Sequence, residues 1–389
     1  MPRTFVSRNK QSTGPVYLDC NATAPLEPEV TDLLRTHFER ELGNAGSRTH
    51  EHGVRAKGIV EEARGCVARV VAARPEEVIF TSGATEANNI AILGLADHAR
   101  ASGRTHIVTT AIEHKAVLEP IEFLQKSGFE VDLVAPGPKG FVTAAEIEAV
   151  LRPNTGLVSV MHANNETGIL QPIQAIAELL RGHGTHFHVD AAQSFGKDIE
   201  PLRSNGIDLI SVSSHKVYGP LGIGALIARR RDQKRPPLKP LIYGGGQERG
   251  LRPGTLPVPL IAGFGLAASI AERDWKRRRA RCLEIRRSAL KALSSLPVLF
   301  HGDQANCLPH VTNFSVPGVD SEALMVALKD IVSISNGSAC TSHSYAPSHV
   351  LGAMDLNKAE IAGAVRLSWS HLTPEVPWSE LAARIASLT

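Results

Sequence analysis

Four stretches of this chain carry side chains suited to chemistry. In SVSSHKVYGPLGIGAL, Lys216 closes an apolar run and is followed by Gly219, Pro220 and Gly222. A lysine facing a cleft is partly discharged by desolvation and can form a Schiff base with an aldehyde. Ser213 and His215 beside it suit a phosphate. In HVDAAQSFG, Asp190 ends another apolar run. A buried carboxylate needs a cationic partner, and a protonated pyridine nitrogen would be one, keeping that ring an electron sink. Gln193 is placed to reach a ring oxygen. In SGATE, a small-residue turn opens a helical stretch. Free backbone N–H groups at such a start hold anions, and the Thr85 hydroxyl adds a bond. In SNGSACTSHSYAPSHVL, Cys340 sits among turn-forming residues, the setting of a reactive thiol and not of a core one. Each feature also has a plain structural reading: a helix cap, a solvated lysine, an incidental cysteine.

The elements around them decide between these readings. From residue 78, short apolar runs alternate with helical stretches: VIFTS, HIVTT, EVDLVA, LVSVM, HFHVD, DLISVS and GALIA read as strands. The stretches ATEANNIAILGLADHAR, KAVLEPIEFLQKSG, TAAEIEAVLR and IQAIAELLRGHG read as helices. This predicts an α/β fold, a mostly parallel sheet sandwiched by helices, over a large domain at 16–257. A long helix over roughly 260–296 opens a smaller α+β domain, 258–389 together with residues 1–15, which carries the Cys340 loop at about 335–350. Ligands of open parallel sheets bind beyond the carboxyl ends of the strands. The residues there are polar in five places: Ser82–Glu86, Glu113–His114, Asn164–Glu166, Asp190–Gln193 and Ser213–Lys216.

Bulk properties exclude little. A net charge of +3 argues for neither nucleic acid nor an anionic membrane. No apolar run is long enough for a membrane span or a signal core, which predicts a cytoplasmic protein. The cysteines, Cys20, Cys66, Cys282, Cys307 and Cys340, form no CxxC pair, against a disulfide framework or a zinc knuckle. A basic stretch at 273–287 reads as a surface helix with solvated arginines, or a dock for an acidic partner. A rival reading takes His183, His186, His188 and Asp190 as metal ligands of a hydrolase. It leaves Lys216, Thr85 and Cys340 without a role.

The motifs YLDCNATAP, GNAGSRTHEHG, SGATEANN, EHKAVLEP, NNETG, HVDAAQS, SSHKVYGPLGIGAL, GGGQERGLRPGTLP and SNGSACTS follow one another along the chain. In this order they resemble the cysteine desulfurases of the NifS/IscS type, within the fold-type I, class V aminotransferase group. The resemblance implies pyridoxal 5'-phosphate (PLP) as cofactor and conversion of L-cysteine to L-alanine. Sulfur passes to Cys340 as a persulfide, then to an acceptor protein. Lys216 would hold the cofactor covalently, Asp190 would pair with its ring nitrogen, and His114 would stack on the ring. Asn165 and Gln193 would lie near the ring oxygen. Ala84, Thr85, Ser213 and His215 would hold the phosphate, with Thr255 reaching the phosphate of a second subunit, hence a homodimer. Arg366 would bind the substrate carboxylate with Asn21 nearby. His114 is the candidate to take the Cys340 thiol proton, and His343 a weaker one. The GSACTS loop resembles that of the subgroup whose cysteine loop moves between cleft and acceptor. Iron–sulfur assembly, tRNA thiolation and DNA phosphorothioation all fit as destinations. A selenocysteine lyase, another class V enzyme and a non-catalytic scaffold are the alternatives. Asn336, Leu221, Gln247 and Pro253 depart from the usual motifs.

Overall fold

The computed structural model describes residues 14–337 and 347–389. Seven strands form the main sheet: β2 (Val78–Thr81), β3 (His106–Thr110), β4 (Glu130–Val134), β5 (Thr155–Ser159), β6 (His186–Asp190), β7 (Leu209–Ser213) and β8 (Gly224–Ala228). A two-residue strand, β1 (Val16–Tyr17), precedes them. Their order is β2-β8-β7-β6-β5-β3-β4, and only β8 runs against its neighbours. The sheet is therefore mostly parallel, and β2, β3, β5, β6 and β7 end on the same edge. All its strands but the edge strand β4 are buried on both faces, which is why they read as continuous apolar runs rather than alternating ones.

Two local expectations shift. The strand read at 157–161 is β5, two residues earlier, with Val160 and His162 still donating to the carbonyls of His188 and Asp190. The single helix read over ATEANNIAILGLADHAR is two, Ala84–Leu93 and Ala96–Ala101. The break falls at Gly94, where a Cβ would lie 3.0 Å from the Lys239 carbonyl oxygen.

A second apolar cluster surrounds a three-stranded sheet of β9 (Leu299–Phe300), β10 (Val311–Ser315) and β12 (Ala364–Ser368). A short strand, β11 (Val332–Ser333), pairs in parallel with β1. Both clusters share the long helix Val258–Leu293. Its first half, with Ile261, Phe264 and Ala268, packs into the main core, and Cys282, Ile285, Ala289 and Leu293 pack into the second. The arginine face expected to be solvated is only partly so. Arg278 and Arg286 are buried, and Arg286 Nη1 donates to the Val311 carbonyl at 2.6 Å. No helix among the described residues is long and apolar enough to cross a membrane.

Candidate active site

A cavity of about 410 Å³ opens beyond the carboxyl edge of the main sheet. All five strand ends contribute to it: Ser82–Thr85 after β2, His114 after β3, Asn165 after β5, Asp190 and Gln193 at β6, Ser213, His215 and Lys216 at β7. Asn21 and Arg366 complete the wall.

The turn after β2 leads into the helix Ala84–Leu93, whose N-cap, Gly83, offers no capping side chain. The N–H groups of its first turn can therefore serve a ligand, and the helix dipole favours an anionic one. The turn approaches the sheet closely at Gly224 of β8, where an added Cβ would lie 2.7 Å from Gly83 Cα. His215 holds Thr23 Oγ1 with its Nδ1 at 2.9 Å. Burial, then the neighbouring Lys216 charge, pushes His215 down to about 4. It is a neutral ring.

Asp190 is fixed from two sides. Asn88 Nδ2 donates to Oδ2 at 2.7 Å, and the Ala192 amide donates to Oδ1 at 2.9 Å. The neighbouring histidines are not ligands of a metal. Both His188 nitrogens are taken by hydroxyls, Ser159 Oγ at 2.8 Å and Ser211 Oγ at 3.0 Å. No metal-holding group of acidic, histidine and cysteine side chains occurs among the described residues.

Lys216 Nζ donates to the backbone carbonyls of Asn21 and Ala22, the latter at 2.8 Å. Gln193 Nε2 donates to the same Asn21 carbonyl at 3.0 Å, which leaves Gln193 Oε1 without a partner among the described residues. His114 caps the helix Lys115–Lys126 through Nδ1, which accepts from the Ala116 amide at 3.1 Å. Burial lowers its pKa, so the ring is neutral with its proton on Nε2. It meets the cavity as a donor. Taking a thiol proton at Nδ1, the role expected of it, requires the Ala116 bond to open.

Arg366, on β12, is buried. Its Nη2 pairs with Asp19 Oδ1 at 2.5 Å and its Nη1 donates to the Asn165 carbonyl at 2.9 Å. Asn21 Nδ2 donates to the same carbonyl at 3.0 Å. The guanidinium expected to grip a carboxylate with a free fork is already oriented by two oxygens. Its Nε has no partner among the described residues.

Sequence reasoning missed Asp19 and Asn88, and named Glu166 at a strand end without giving it a role. All three stand inside quoted motifs, yet no local pattern shows what they touch. Ser335 Oγ donates to Asp19 at 3.2 Å, and Ser348 Oγ donates to Glu166 Oε2 at 2.6 Å. Gly337 lies against Glu166, where a Cβ would sit 3.4 Å from Glu166 Cγ. Burial holds the Glu166 carboxyl above its usual range. The described residues on either side of 338–346 thus converge on Asp19 and Glu166, next to Arg366. Cys340 and His343 lie outside the described residues.

Thr255 is exposed and does not line the cavity of its own chain. Its loop is tied to the cavity by Arg252 Nε, 3.0 Å from Glu86 Oε1. Gln247, one of the departures, accepts the Gly254 amide at 2.9 Å. Glu248 anchors the segment through a bidentate pair with buried Arg64, at 2.7 and 2.9 Å. Leu221, another departure, lines the cavity and is 67% exposed.

Residues 16–375 match the family model Aminotransferase class-V. The chain belongs to this family. Among curated class V relatives, it is 44% identical to "Cysteine desulfurase IscS" of Pseudomonas putida, over 93% of this chain and 89% of that one. The same protein of Stutzerimonas stutzeri is 45% identical over the same shares. Among solved structures, DndA from Streptomyces lividans shares 48% identity with a TM-score of 0.80, over 91% of this chain and 99% of that one. A NifS-like protein shares 33% identity with a TM-score of 0.87, over 96% and 98%. "SspA in complex with cysteine" shares 35% with a TM-score of 0.80, over 92% and 100%.

This class V family is PLP-dependent, and the residues present fit that group. An uncapped helix start beside Ser213 and His215 suits a phosphate. A fixed carboxylate, Asp190, suits a protonated ring nitrogen. Lys216 suits the aldehyde, and the Asn21 Oδ1 and Gln193 Oε1 atoms left without partners mark polar capacity facing the same space.

Proposed function

We propose that this chain is a cysteine desulfurase, converting L-cysteine to L-alanine and passing the sulfur to Cys340 and then to an acceptor protein. One observation carries the reading. Lys216, Asp190, the uncapped helix start and Arg366 share one cavity, and Ser335, just before 338–346, is bonded to Asp19, which orients Arg366. The names of the curated relatives and a neighbour solved with cysteine support it.

PLP, held by Ala84, Thr85, Ser213, His215, Asp190 and Lys216, would supply an electron sink for the substrate's α-carbon. Arg366 binds the substrate carboxylate, oriented by Asp19 and the Asn165 carbonyl. Asn21 and Gln193 hold the wall beside it, and His114 stacks and offers Nε2–H. Lys216 Nζ, resting on the carbonyls of Asn21 and Ala22, would hold the cofactor through its aldehyde. The Cys340 thiolate attacks the substrate sulfur. The C–S bond breaks with its electrons going to the carbon, which takes a proton, and the persulfide stays on Cys340. A free thiol near pKa 8.5 is only a few per cent thiolate at pH 7. The buried cysteines Cys20, Cys282 and Cys307 are less suited still. Burial pushes Cys20 to about 11 and Cys282 to about 12, and also raises Cys307.

The enzyme acts as a homodimer with Thr255 reaching the partner's phosphate. In support, Thr255 stands exposed beside a groove lined by Leu42, Leu256 and Pro257, and Leu42 is 76% exposed.

Assay of alanine and sulfide from L-cysteine tests the reading. The wild type forms both. Cys340→Ser forms neither yet keeps the visible absorbance of bound PLP, because a hydroxyl is a far poorer nucleophile toward sulfur. Full alanine release by Cys340→Ser would contradict it.

A further inference from the structure

A second, small cavity of about 20 Å³ lies where the two apolar clusters meet, lined by Lys197, Tyr218, Arg278, Arg279, Cys282 and His310. It has room for about one water-sized sphere. Its walls are strongly cationic. Lys197 is buried, and its ammonium contacts His310 Nε2 at 3.2 Å, with no carboxylate at ion-pair distance among the described residues. Lys197 Nζ stands 5.9 Å from the centre of the Tyr218 ring and the Arg278 guanidinium carbon 5.0 Å from it, so two cations share one aromatic ring.

Arg278 is also buried. Its Nη2 is taken by Glu27, but its Nε and Nη1 have no partner among the described residues, and neither has Arg279 Nη1. Glu27 is further committed to His371 Nε2 at 2.7 Å. Burial holds Lys197 near 8, still mostly protonated at pH 7, and drives His310 well below its usual value. The thiols of Cys20 and Cys282 stay neutral at that pH and add no negative charge. Glu27 is thus the one carboxylate at ion-pair distance from these three cations among the described residues, Asp274 acting on Arg278 and Asp198 on Arg279 only from further off, and an unpaired buried charge is costly.

We propose that this cavity binds a monatomic inorganic anion, a halide the size of chloride, held by Lys197 Nζ and the unpartnered guanidinium N–H groups of Arg278 and Arg279. The site is separate from the phosphate cradle at Ala84 and Ser213, with which it shares no lining residue. The volume selects against phosphate and other tetrahedral anions.

The holoenzyme is melted in sodium chloride, in sodium bromide and in sodium isethionate at one ionic strength, the last anion being too large for the cavity. Either halide raises Tm over isethionate by about 2 °C or more, as a ligand of the native state alone must. Lys197→Met loses that halide-specific gain. Crystals of the wild-type protein grown in bromide give an independent reading, whether or not the variant folds: an anomalous peak among Lys197, Arg278 and Arg279. Equal melting in halide and isethionate, an undiminished halide gain in Lys197→Met, or bromide crystals without that peak would each overturn the assignment.

Discussion

The two ends of the main cavity are built in different ways. At the cofactor end, Asp190 and Ser213 end strands of one buried sheet and Thr85 and Lys216 closely follow strands of it, so the sheet's register sets the framework of their spacing. At the substrate end, Arg366 comes from β12 of the smaller sheet, and Asp19 from the chain just after β1. These side chains meet only because the second cluster packs against the first. The cofactor end is a property of one rigid element. The substrate end is a property of a contact, shared with the residues flanking 338–346.

Removing an anchor at either end breaks this contrast in a characteristic way. Lys216→Ala strikes the cofactor end hardest. The protein loses the visible band of Lys216-linked PLP, and alanine formation falls to background, read by absorbance and amino-acid analysis. Arg366→Ala strikes the other end. It raises KM for cysteine by about ten- to hundredfold with a smaller change in kcat, since each hydrogen bond to a charged group contributes about 1.5–3 kcal/mol. Spectroscopic titration with PLP should be unchanged in that variant.

Two smaller effects sharpen the comparison. Asn88→Ala removes a bond to Asp190 Oδ2 and weakens PLP affinity by about tenfold, while KM measured at saturating PLP stays near wild type. Asp19→Asn keeps an acceptor for Arg366 Nη2 but removes a negative charge beside the substrate carboxylate. KM then falls by about two- to fivefold, in line with a partly exposed charge pair. Asp19→Ala, which removes the acceptor as well, raises KM instead. Equal shifts in both Asp19 variants would remove the distinction between charge and orientation.

The same contrast explains what could be read from sequence. Strand ends are local: an apolar run stopping at Asp190 or Ser213 announces both the strand and the exposed polar group after it, so the cofactor end was legible. The resemblance to desulfurase motifs supplied Arg366, but not its pairing with Asp19, because that contact spans almost the whole chain. The buried state of Arg278 and Arg286 was hidden for the same reason. Helical periodicity places them beside solvated arginines, and only the packing of β10 and the Glu27 segment against that helix buries them. The proton position on His114 depends on a backbone amide two residues ahead, a geometric fact that no residue pattern encodes.

The most direct test of the proposed chemistry is where the sulfur lands. The PLP-loaded wild type is treated with L-cysteine without reductant, digested, and its cysteine peptides compared by mass. The peptide containing Cys340 gains one sulfur atom, while those of Cys20, Cys282 and Cys307, held as buried neutral thiols, stay unmodified. Sulfur found chiefly on another cysteine, or no added sulfur while alanine accumulates, would contradict the account.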